Sequence, residues 1–118
     1  MTTTERWPSH WLRGTLKLCV LAVVADETTY GYAITRRLKA AGLGSVNGGT
    51  LYPILTRLER DGLVTSSWQD GSGGPGRKYF AITPAGLEHL STEAGLWQAF
   101  SATVTALVAA RTREEIPA

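Results

Sequence analysis

Two short segments of β-forming residues stand on either side of a glycine-rich stretch, and this feature restricts the possible folds most strongly. Residues 63–69 and 77–82 contain Val, Thr, Trp, Tyr, Phe and Ile, which favour strands. Residues 71–76 between them read Gly-Ser-Gly-Gly-Pro-Gly, which is typical of a long and flexible hairpin tip. The sequence therefore predicts a two-stranded β-hairpin in a chain whose other segments have helical patterns.

Three helical segments precede this hairpin. Residues 12–25 are apolar on nearly every side over most of their length, which indicates a central, buried helix. Residues 26–29 break the pattern, and Thr28 or Thr29 can act as the N-cap of a second helix. That helix runs to about Ala41, where the glycines that follow end it.

The third helical segment has two possible starting points. If it begins at Asn47, Pro53 lies well inside the helix and removes a backbone hydrogen bond. If Thr50 is the N-cap, Pro53 falls in the first turn and costs little. The sequence leaves both starts open, and Gly62 ends the helix in either case. The apolar face of this segment comprises Leu51, Ile54, Leu55 and Leu58.

A long helical segment follows the hairpin. Thr83 is a good N-cap, Pro84 suits the first helical position, and the pattern then continues to about Ala110. Apolar side chains recur along it at spacings of three and four residues, as in a heptad stripe. The rest of the chain is too small to cover such a stripe, so we predict an interface between two copies. The predicted interface residues are Leu87, Leu90, Ala94, Trp97, Val104 and Val108.

The order of the segments is helix, helix, helix, hairpin, long helix. It is the order of a winged helix-turn-helix protein, mainly α with a two-stranded β-hairpin. We expect a winged helix-turn-helix domain over residues 12–82, a C-terminal dimerisation helix over residues 83–110, and flexible ends at residues 1–11 and 111–118. The predicted core consists of Leu16, Val20, Val23, Ile34, Leu38, Leu51, Leu55, Leu58 and Tyr79.

The composition excludes several classes of protein. Hydrophobic residues make up 43% of the chain, which is enough for a core. The single cysteine, Cys19, excludes a disulfide framework, and the two histidines stand far apart without a carboxylate cluster, so neither a metal nor a cofactor is expected. The longest apolar run, residues 18–25, is too short to span a bilayer, and no secretory signal is recognisable. We therefore expect a cytoplasmic protein without membrane contact.

No catalytic set is recognisable either. Cys19 falls in the predicted buried helix without a base nearby, and no serine lies in a nucleophile-elbow motif. Neither histidine has an acid or base partner in the sequence pattern. We predict that the chain is not an enzyme, and a small hydrolase is left as an alternative without assignable residues.

The distribution of charge favours a polyanionic partner. Residues 1–82 carry ten Lys or Arg against six Asp or Glu, whereas residues 83–118 carry two against four. The outward face of the third helix offers small and polar side chains that can approach bases and phosphates, and the hairpin adds two cations. For any single residue of this helix face, an ordinary solvated surface is the better explanation, and a mobile loop with two solvated charges is a strong alternative for the hairpin. The helix face as a whole, in this order of elements, favours DNA. The predicted DNA-binding residues are Arg36, Lys39, Asn47, Gly49, Thr50, Tyr52, Arg57, Arg77 and Lys78.

Several motifs resemble those of the PadR family of bacterial transcriptional regulators. The most specific are GTLYPIL at residues 49–55 and GRKYF at residues 76–80, and the likeness runs from about Leu12 to Leu90. The short tail resembles the subgroup with a single C-terminal dimerisation helix. The resemblance implies a homodimeric winged-helix repressor that binds a palindromic operator in double-stranded DNA. In many members a small aromatic effector releases the operator.

The resemblance also implies roles for individual residues. Residues 47–52 fall at the start of the family's recognition helix, and the two hairpin cations fall in its wing. Trp97 falls at a tryptophan position that lines a pocket at the dimer centre in multidrug-binding members, which makes it a candidate effector-binding residue; the plainer interpretation is packing in the interface. This chain departs from the family at Tyr30, where many members have histidine, and in its unusually glycine-rich hairpin tip.

Together, these observations predict a sequence-specific, DNA-binding transcriptional regulator. We expect an effector-responsive repressor that acts as a homodimer on a palindromic operator. The alternative is a winged-helix module for protein–protein interaction that has no operator of its own.

Overall fold

The computed structural model of the chain describes residues 7–70, 74 and 76–114, the last three as backbone only. Four helices and a three-stranded antiparallel sheet make up this part of the chain. The predicted fold class, mainly α with a winged helix-turn-helix arrangement, is confirmed, but the sheet has one strand more than the predicted hairpin. In chain order the elements are α1 (Ser9–Asp26), β1 (Thr29–Tyr30), α2 (Gly31–Ala40), α3 (Gly48–Arg60), β2 (Val64–Gln69), β3 (Arg77–Ile82) and α4 (Pro84–Glu114).

The additional strand is β1, which pairs with β3 and gives the sheet order β1-β3-β2. Thr29 lies opposite Phe80, and Tyr30 lies opposite Tyr79. The predicted N-cap role of Thr28 or Thr29 is therefore wrong, because Thr29 is buried in the sheet and Tyr30 precedes α2 without a side-chain capping bond. A strand of two residues has no alternating pattern of its own, so only its pairing partner defines it.

Helix α3 begins at Gly48, which decides between the two starts that the sequence leaves open. Asn47 is the N-cap, and its side-chain oxygen accepts a hydrogen bond of 3.0 Å from the backbone N–H of Thr50. Pro53 therefore lies inside the helix and deprives the carbonyl of Gly49 of its usual helical donor. Gly49 is exposed, so water can satisfy that carbonyl and the helix continues through the proline.

Helix α1 begins earlier than predicted. It starts at Ser9, so residues 9–11 are helical and not a flexible end. The indole N–H of Trp7 donates a hydrogen bond of 2.7 Å to the carbonyl of Gly42, which ties the start of α1 to the α2–α3 turn. This tertiary contact cannot be recognised from local sequence. Residues 1–6 lie outside the described residues.

Helix α4 continues further than predicted, through Glu114 instead of about Ala110. Residues 111–114 are therefore helical and not a flexible end, because no glycine or proline stands in this stretch to stop the helix. Residues 115–118 lie outside the described residues.

The hydrophobic core lies between the first three helices and the sheet. Every predicted core residue is buried except Tyr79, which is half-buried, whereas its neighbour Phe80 is only 2% exposed. Side chains alternate across a strand, and Phe80 faces the helices while Tyr79 lies on the other face beside Tyr30. The most deeply buried side chains are Val20, Leu21, Val24, Ile34, Leu38, Leu51, Leu55, Leu58 and Val64.

Thr83 fastens the start of α4 to the residues that follow α3. Its backbone N–H donates to the carbonyl of Leu63 at 3.0 Å, and its hydroxyl donates to the carbonyl of Gly62 at 2.7 Å. The same side-chain oxygen accepts a bond of 2.9 Å from the N–H of Gly86, which confirms the predicted N-cap. Gly86 packs so closely that a β-carbon there would collide with the Leu63 carbonyl and lie 2.7 Å from the side chain of Ile82.

Candidate nucleic-acid interface

The outward side of α3, together with its N-cap Asn47, carries five of the nine residues predicted to bind DNA. Gly49, Thr50, Tyr52 and Arg57 are all exposed, while the opposite side of the helix is buried in the core. A β-carbon at Gly49 would have only the side chain of Asn47 nearby, at 3.3 Å, so the backbone there is open to an approaching surface. The first turn of α3 thus offers a helix N-terminus with little side-chain bulk over it.

Two of these side chains also have contacts inside the protomer. The oxygen of Asn47 is used by the helix cap, which leaves its amide group for an outside partner. Tyr52 is 50% exposed, but its ring lies against the start of α2, since a β-carbon at Gly31 would be 2.7 Å from the ring carbon Cζ. The glycine at position 31 therefore lets Tyr52 pack α3 against α2 while half of the side chain remains accessible.

Helix α2 adds a basic flank beside the start of α3. Tyr32, Arg36 and Lys39 are exposed and recur at helical spacing, so they share one face. The guanidinium of Arg36 lies 5.8 Å from the ring centroid of Tyr32. Sequence reasoning missed Tyr32, which is 66% exposed, although its spacing of four from Arg36 was a usable signal. This face lines a shallow groove of about 200 Å³ with Thr35, Ser45 and Val46.

The hairpin of β2 and β3, called the wing below, pairs in regular antiparallel register from Val64 opposite Ile82 to Gln69 opposite Arg77. Most of the predicted glycine-rich tip, residues 71–73 and 75, lies outside the described residues. Trp68 on β2 is 71% exposed, and the sequence analysis did not single it out. Its position next to the last residue of the strand was the only available indication.

The two cations of the wing have different surroundings. The guanidinium carbon of Arg77 lies 4.4 Å from the ring centroid of Tyr30, and Arg77 is exposed. The ammonium of Lys78 lies 3.9 Å from a carboxylate oxygen of Glu59 on α3, and 5.7 Å from the ring centroid of Phe80. Both can reach outward, but the charge of Lys78 already has a partner.

The other basic residues also differ in whether they form an ion pair. Arg37 pairs with Asp26 at 3.0 Å, and Arg60 pairs with Asp61 at 3.3 Å. An exposed cation without such a partner can neutralise a phosphate without first giving up an ion pair. The predicted DNA-binding cations that form no ion pair with any described residue are Arg36, Lys39, Arg57 and Arg77.

From Leu96 onward, α4 exposes a row of large apolar side chains, here called the α4 stripe. Each of them is at least 42% exposed, so nothing in the described part of the protomer covers the row. Sequence reasoning found only part of it, because a single heptad register counts fewer residues than a broad helical face presents. The α4 stripe consists of Leu96, Trp97, Phe100, Val104, Leu107 and Val108.

The first half of α4 contributes less to this surface than predicted. Leu90, which is predicted to lie in the dimer interface, is half-buried and packs against the core of its own chain. Helix α4 contacts both α1 and β3. Ala94 is half-buried, and only Leu87 among these three positions is exposed.

Trp97 lies where three clefts between α1 and α4 meet. The clefts have volumes of about 340, 470 and 450 Å³. The Trp97 ring is 43% exposed, and its centroid lies 6.2 Å from that of Phe100. Lys17, His89 and Glu93 also line the first cleft, whereas Trp11 lines the other two. The site is therefore apolar around the indole, with charged groups on one side.

Other kinds of site find no support in the part of the chain that the structure describes. No three His, Cys, Asp or Glu residues there are grouped so that they could hold a metal ion. Burial raises the pKa of the Cys19 thiol, which keeps it protonated and weakly nucleophilic at neutral pH. Of the described helices, none has the length and apolar character needed to cross a membrane.

A helix-turn-helix with an accessible second helix, basic flanks and a β-hairpin wing places the molecule in the class of winged-helix DNA-binding proteins. Comparison with known proteins makes the assignment more specific. The profile of the Transcriptional regulator PadR-like family matches residues 20–92. A transcriptional regulator of Mycobacterium tuberculosis is 38% identical over 81 residues, covering 69% of this chain and 74% of that protein.

Solved structures agree with this result. A PadR-like transcriptional regulator from Bacillus cereus superimposes with a TM-score of 0.75 at 35% identity, covering 84% of this chain and 96% of that one. A PadR family transcriptional regulator from Eggerthella lenta gives a TM-score of 0.76 at 35% identity, with coverages of 84% and 86%. The chain therefore belongs to the PadR-like family of transcriptional regulators, which are not enzymes. The resemblance inferred from the sequence motifs is confirmed.

Proposed function

We propose that this PadR-family regulator is an effector-responsive repressor that binds a palindromic operator as a homodimer in the cytoplasm. The observation that carries the proposal is the exposed start of α3, flanked on both sides by cations that form no ion pair with a described residue. Arg36 and Lys39 lie on the α2 side, and Arg77 lies on the wing side. A helix presented in this way fits the major groove, while flanking cations contact the phosphates on either side.

The residues divide into two proposed roles. The first role is to bind phosphates and thereby to set the orientation of the DNA-binding domain on the duplex. It belongs to Arg36, Lys39, Arg57, Arg77 and Lys78. The start of α3, from Asn47 through Gly49 and Thr50 to Tyr52, lies at the base edges or the adjoining backbone. Residues 12–82 then form the DNA-binding head, and residues 83–110 form the dimerisation helix.

The α4 stripe supports the homodimer. Its large apolar side chains are exposed in the protomer, and contiguous apolar surface of this kind is typical of an interface between copies. A two-fold axis through α4 would place two heads on one face of the duplex. Two symmetric heads read two inverted half-sites, which is why a palindromic operator is proposed.

Trp97 supports the effector response. Its half-exposed indole borders open clefts, and a flat aromatic molecule can stack on it there. We expect Trp97→Ala to loosen the dimer or to abolish the fluorescence quenching that flat aromatic compounds cause in the wild type. Sedimentation velocity and quenching titrations measure the two effects. A Trp97→Ala protein with an intact dimer and intact effector binding would show that Trp97 is only packed.

A gel shift tests the DNA function directly. The probe is the duplex upstream of the gene for this chain, challenged with excess random duplex. A specific complex that survives the competitor, and that a flat aromatic effector dissociates, is the expected result. If no complex survives, the proposal of an operator is wrong, and a winged-helix module for protein contact becomes the better explanation. A reporter gene under the same upstream sequence distinguishes repression from activation.

A further inference from the structure

Arg77 at the start of β3 is held by an aromatic ring and not by a carboxylate of any described residue. Its guanidinium carbon lies 4.4 Å from the ring centroid of Tyr30, well within the range of a cation–π contact. The contact places the guanidinium over the face of the ring. The N–H groups around its edge are left to donate to another partner, and a phosphate accepts two of them at once.

Tyr30 is itself fixed by the sheet. It is paired with Tyr79 in the β1–β3 ladder, and the two rings meet edge to face with centroids 5.3 Å apart. Arg77 and Tyr79 lie two residues apart on one strand, so their side chains share a face. The side chains of Arg77, Tyr30 and Tyr79 therefore form one continuous group at the root of the wing, here called the wing-root stack.

Of the two wing cations, only Arg77 belongs to the wing-root stack. Lys78 lies on the opposite face of β3, and its ammonium lies 3.9 Å from the carboxylate of Glu59. An ion pair must be weakened before Lys78 can bind a phosphate, whereas a stacked guanidinium keeps its stacking partner while it binds.

The wing-root stack also adjoins the recognition helix. Tyr30 is the residue directly before α2, and the next residue, Gly31, provides the space in which the Tyr52 ring packs. The dipeptide of Tyr30 and Gly31 therefore touches both DNA-facing elements, the wing through Arg77 and the recognition helix through Tyr52. A fixed position of Tyr30 sets the position of Arg77 relative to α3.

We propose that Tyr30 is a positioning residue, which holds the guanidinium of Arg77 ready for a phosphate of double-stranded DNA. This inference rests on the proposed DNA-binding function. Holding the side chain in place before binding reduces the conformational entropy that the long arginine side chain gives up when it meets the duplex. Tyr30 thereby strengthens the interaction without touching DNA itself.

The test is a double-mutant cycle between the two residues, measured by fluorescence anisotropy on the duplex that the gel shift identifies. Tyr30→Phe is the matched control, because phenylalanine keeps the ring and the edge-to-face contact. Tyr30→Leu removes the aromatic face, and Arg77→Ala removes the guanidinium. We expect Tyr30→Phe to bind as the wild type and Tyr30→Leu to bind ~2- to 10-fold more weakly. In the Arg77→Ala background, Tyr30→Leu should have no further effect.

The salt dependence gives a second readout that a purely structural role would not produce. Arg77→Ala should flatten the plot of log affinity against log salt by roughly one unit, because one phosphate is no longer neutralised. Tyr30→Leu should leave that slope unchanged, because Arg77 still reaches its phosphate after the stack is removed. In the free protein, the Arg77 side-chain protons should show a ring-current shift in NMR that persists in Tyr30→Phe and disappears in Tyr30→Leu.

Two results would overturn the inference about Tyr30 while leaving the proposed DNA-binding function intact. One is an equal loss of affinity from Tyr30→Leu in both backgrounds, which would mean that Tyr30 acts on the fold and not through Arg77. The other is wild-type affinity in Arg77→Ala. If Tyr30→Leu fails to fold, the absence of a ring-current shift on Arg77 in the wild type would overturn it as well. A wild-type protein that binds no duplex would overturn the proposed DNA function itself.

Discussion

Lys78 is a wing cation whose charge has a partner inside the protomer. Glu59 accepts a hydrogen bond of 2.6 Å from the hydroxyl of Ser66 and lies 3.9 Å from the ammonium of Lys78. Because both charged side chains are 39% exposed, their pairing contributes little to stability. The carboxylate nevertheless places a negative charge beside the surface that is proposed to meet phosphates.

We therefore expect Glu59→Gln to tighten DNA binding by ~3- to 10-fold at low salt, and by less as salt rises. Glutamine still accepts the bond from Ser66, so the free energy of unfolding should change by less than about 0.5 kcal/mol. Anisotropy titrations at two salt concentrations and urea denaturation measure the two quantities. Glu88→Gln, the same change of charge on α4, serves as the control. Unchanged affinity of Glu59→Gln would show that Lys78 does not approach DNA.

Gly86 is the glycine whose lack of a side chain matters most for the fold. A β-carbon there would collide with the carbonyl of Leu63, whereas a β-carbon at Gly95 would have nothing within 4 Å. Gly86→Ala should therefore destabilise the protein by about 1–3 kcal/mol. Gly95→Ala should stabilise it by up to about 1 kcal/mol, because alanine is the better helix former. Chemical denaturation of both variants checks the contrast, and equal stabilities would mean that the start of α4 shifts freely.

The role of a single residue could be predicted from the sequence where its interaction partners lie close to it in the chain. The cap at Thr83 needs only its own segment, and the structure confirms it. The pairing of Lys78 with Glu59 and the stacking of Arg77 on Tyr30 join residues about twenty and forty-seven positions apart, so no local pattern contains them. The set of cations could therefore be listed from sequence, but their surroundings could not.

Among the elements, the wing is the one with the most direct test. We expect the double substitution Arg77→Ala with Lys78→Ala to weaken binding to operator and to random DNA alike, because interactions with phosphates carry no sequence information. The salt slope should flatten by roughly one unit for each phosphate that the variant no longer neutralises. Arg37→Ala, which removes a cation already paired with Asp26, is the control. Unchanged affinity and slope in the double variant would remove the wing from the mechanism.

The boundaries of the helices and strands could be predicted from sequence only where a single residue type, glycine, ends a helix. Gly42 and Gly62 adopt positive φ angles and end α2 and α3 as predicted, while Gly44, also at positive φ, lies beyond the end of α2. Strand β1 could not be predicted, because two residues become a strand only when β3 lies beside them. The start of α3 depended on whether water could replace the helical bond that Pro53 removes, which the sequence does not specify.

The whole molecule is proposed to be a dimer, and Leu107 provides a selective test. It is 70% exposed in the protomer, so a charge there does not disturb the fold of the chain itself. Leu107→Glu should raise the dimer dissociation constant by about 100-fold, because two carboxylates would be buried across the two-fold axis. Ala102→Glu, an exposed position on the other side of α4, is the control. A dimer of Leu107→Glu that sediments as tightly as the wild type would place the interface elsewhere.

At this scale the sequence predicted the existence of an uncovered apolar stripe, and the structure changed its membership. Leu90 satisfies the spacing of the stripe, but it is half-buried and packs against the core of its own protomer. Phe100 and Leu107 lie off the single heptad register and were missed, although both are more than 60% exposed. Spacing describes the face of a helix, whereas packing against the rest of the chain decides which residues of that face are covered.

The bonds around Thr83 have a mechanical consequence. Two hydrogen bonds of 2.7 and 3.0 Å join the start of α4 to the residues that follow α3, and a third of 2.9 Å caps α4 itself. In the proposed dimer, the 31-residue α4 would act as a lever about 46 Å long, with its fulcrum at the end of α3. A small molecule that spreads two such levers would swing the two reading surfaces through the same angle and change the distance between the grooves that they reach.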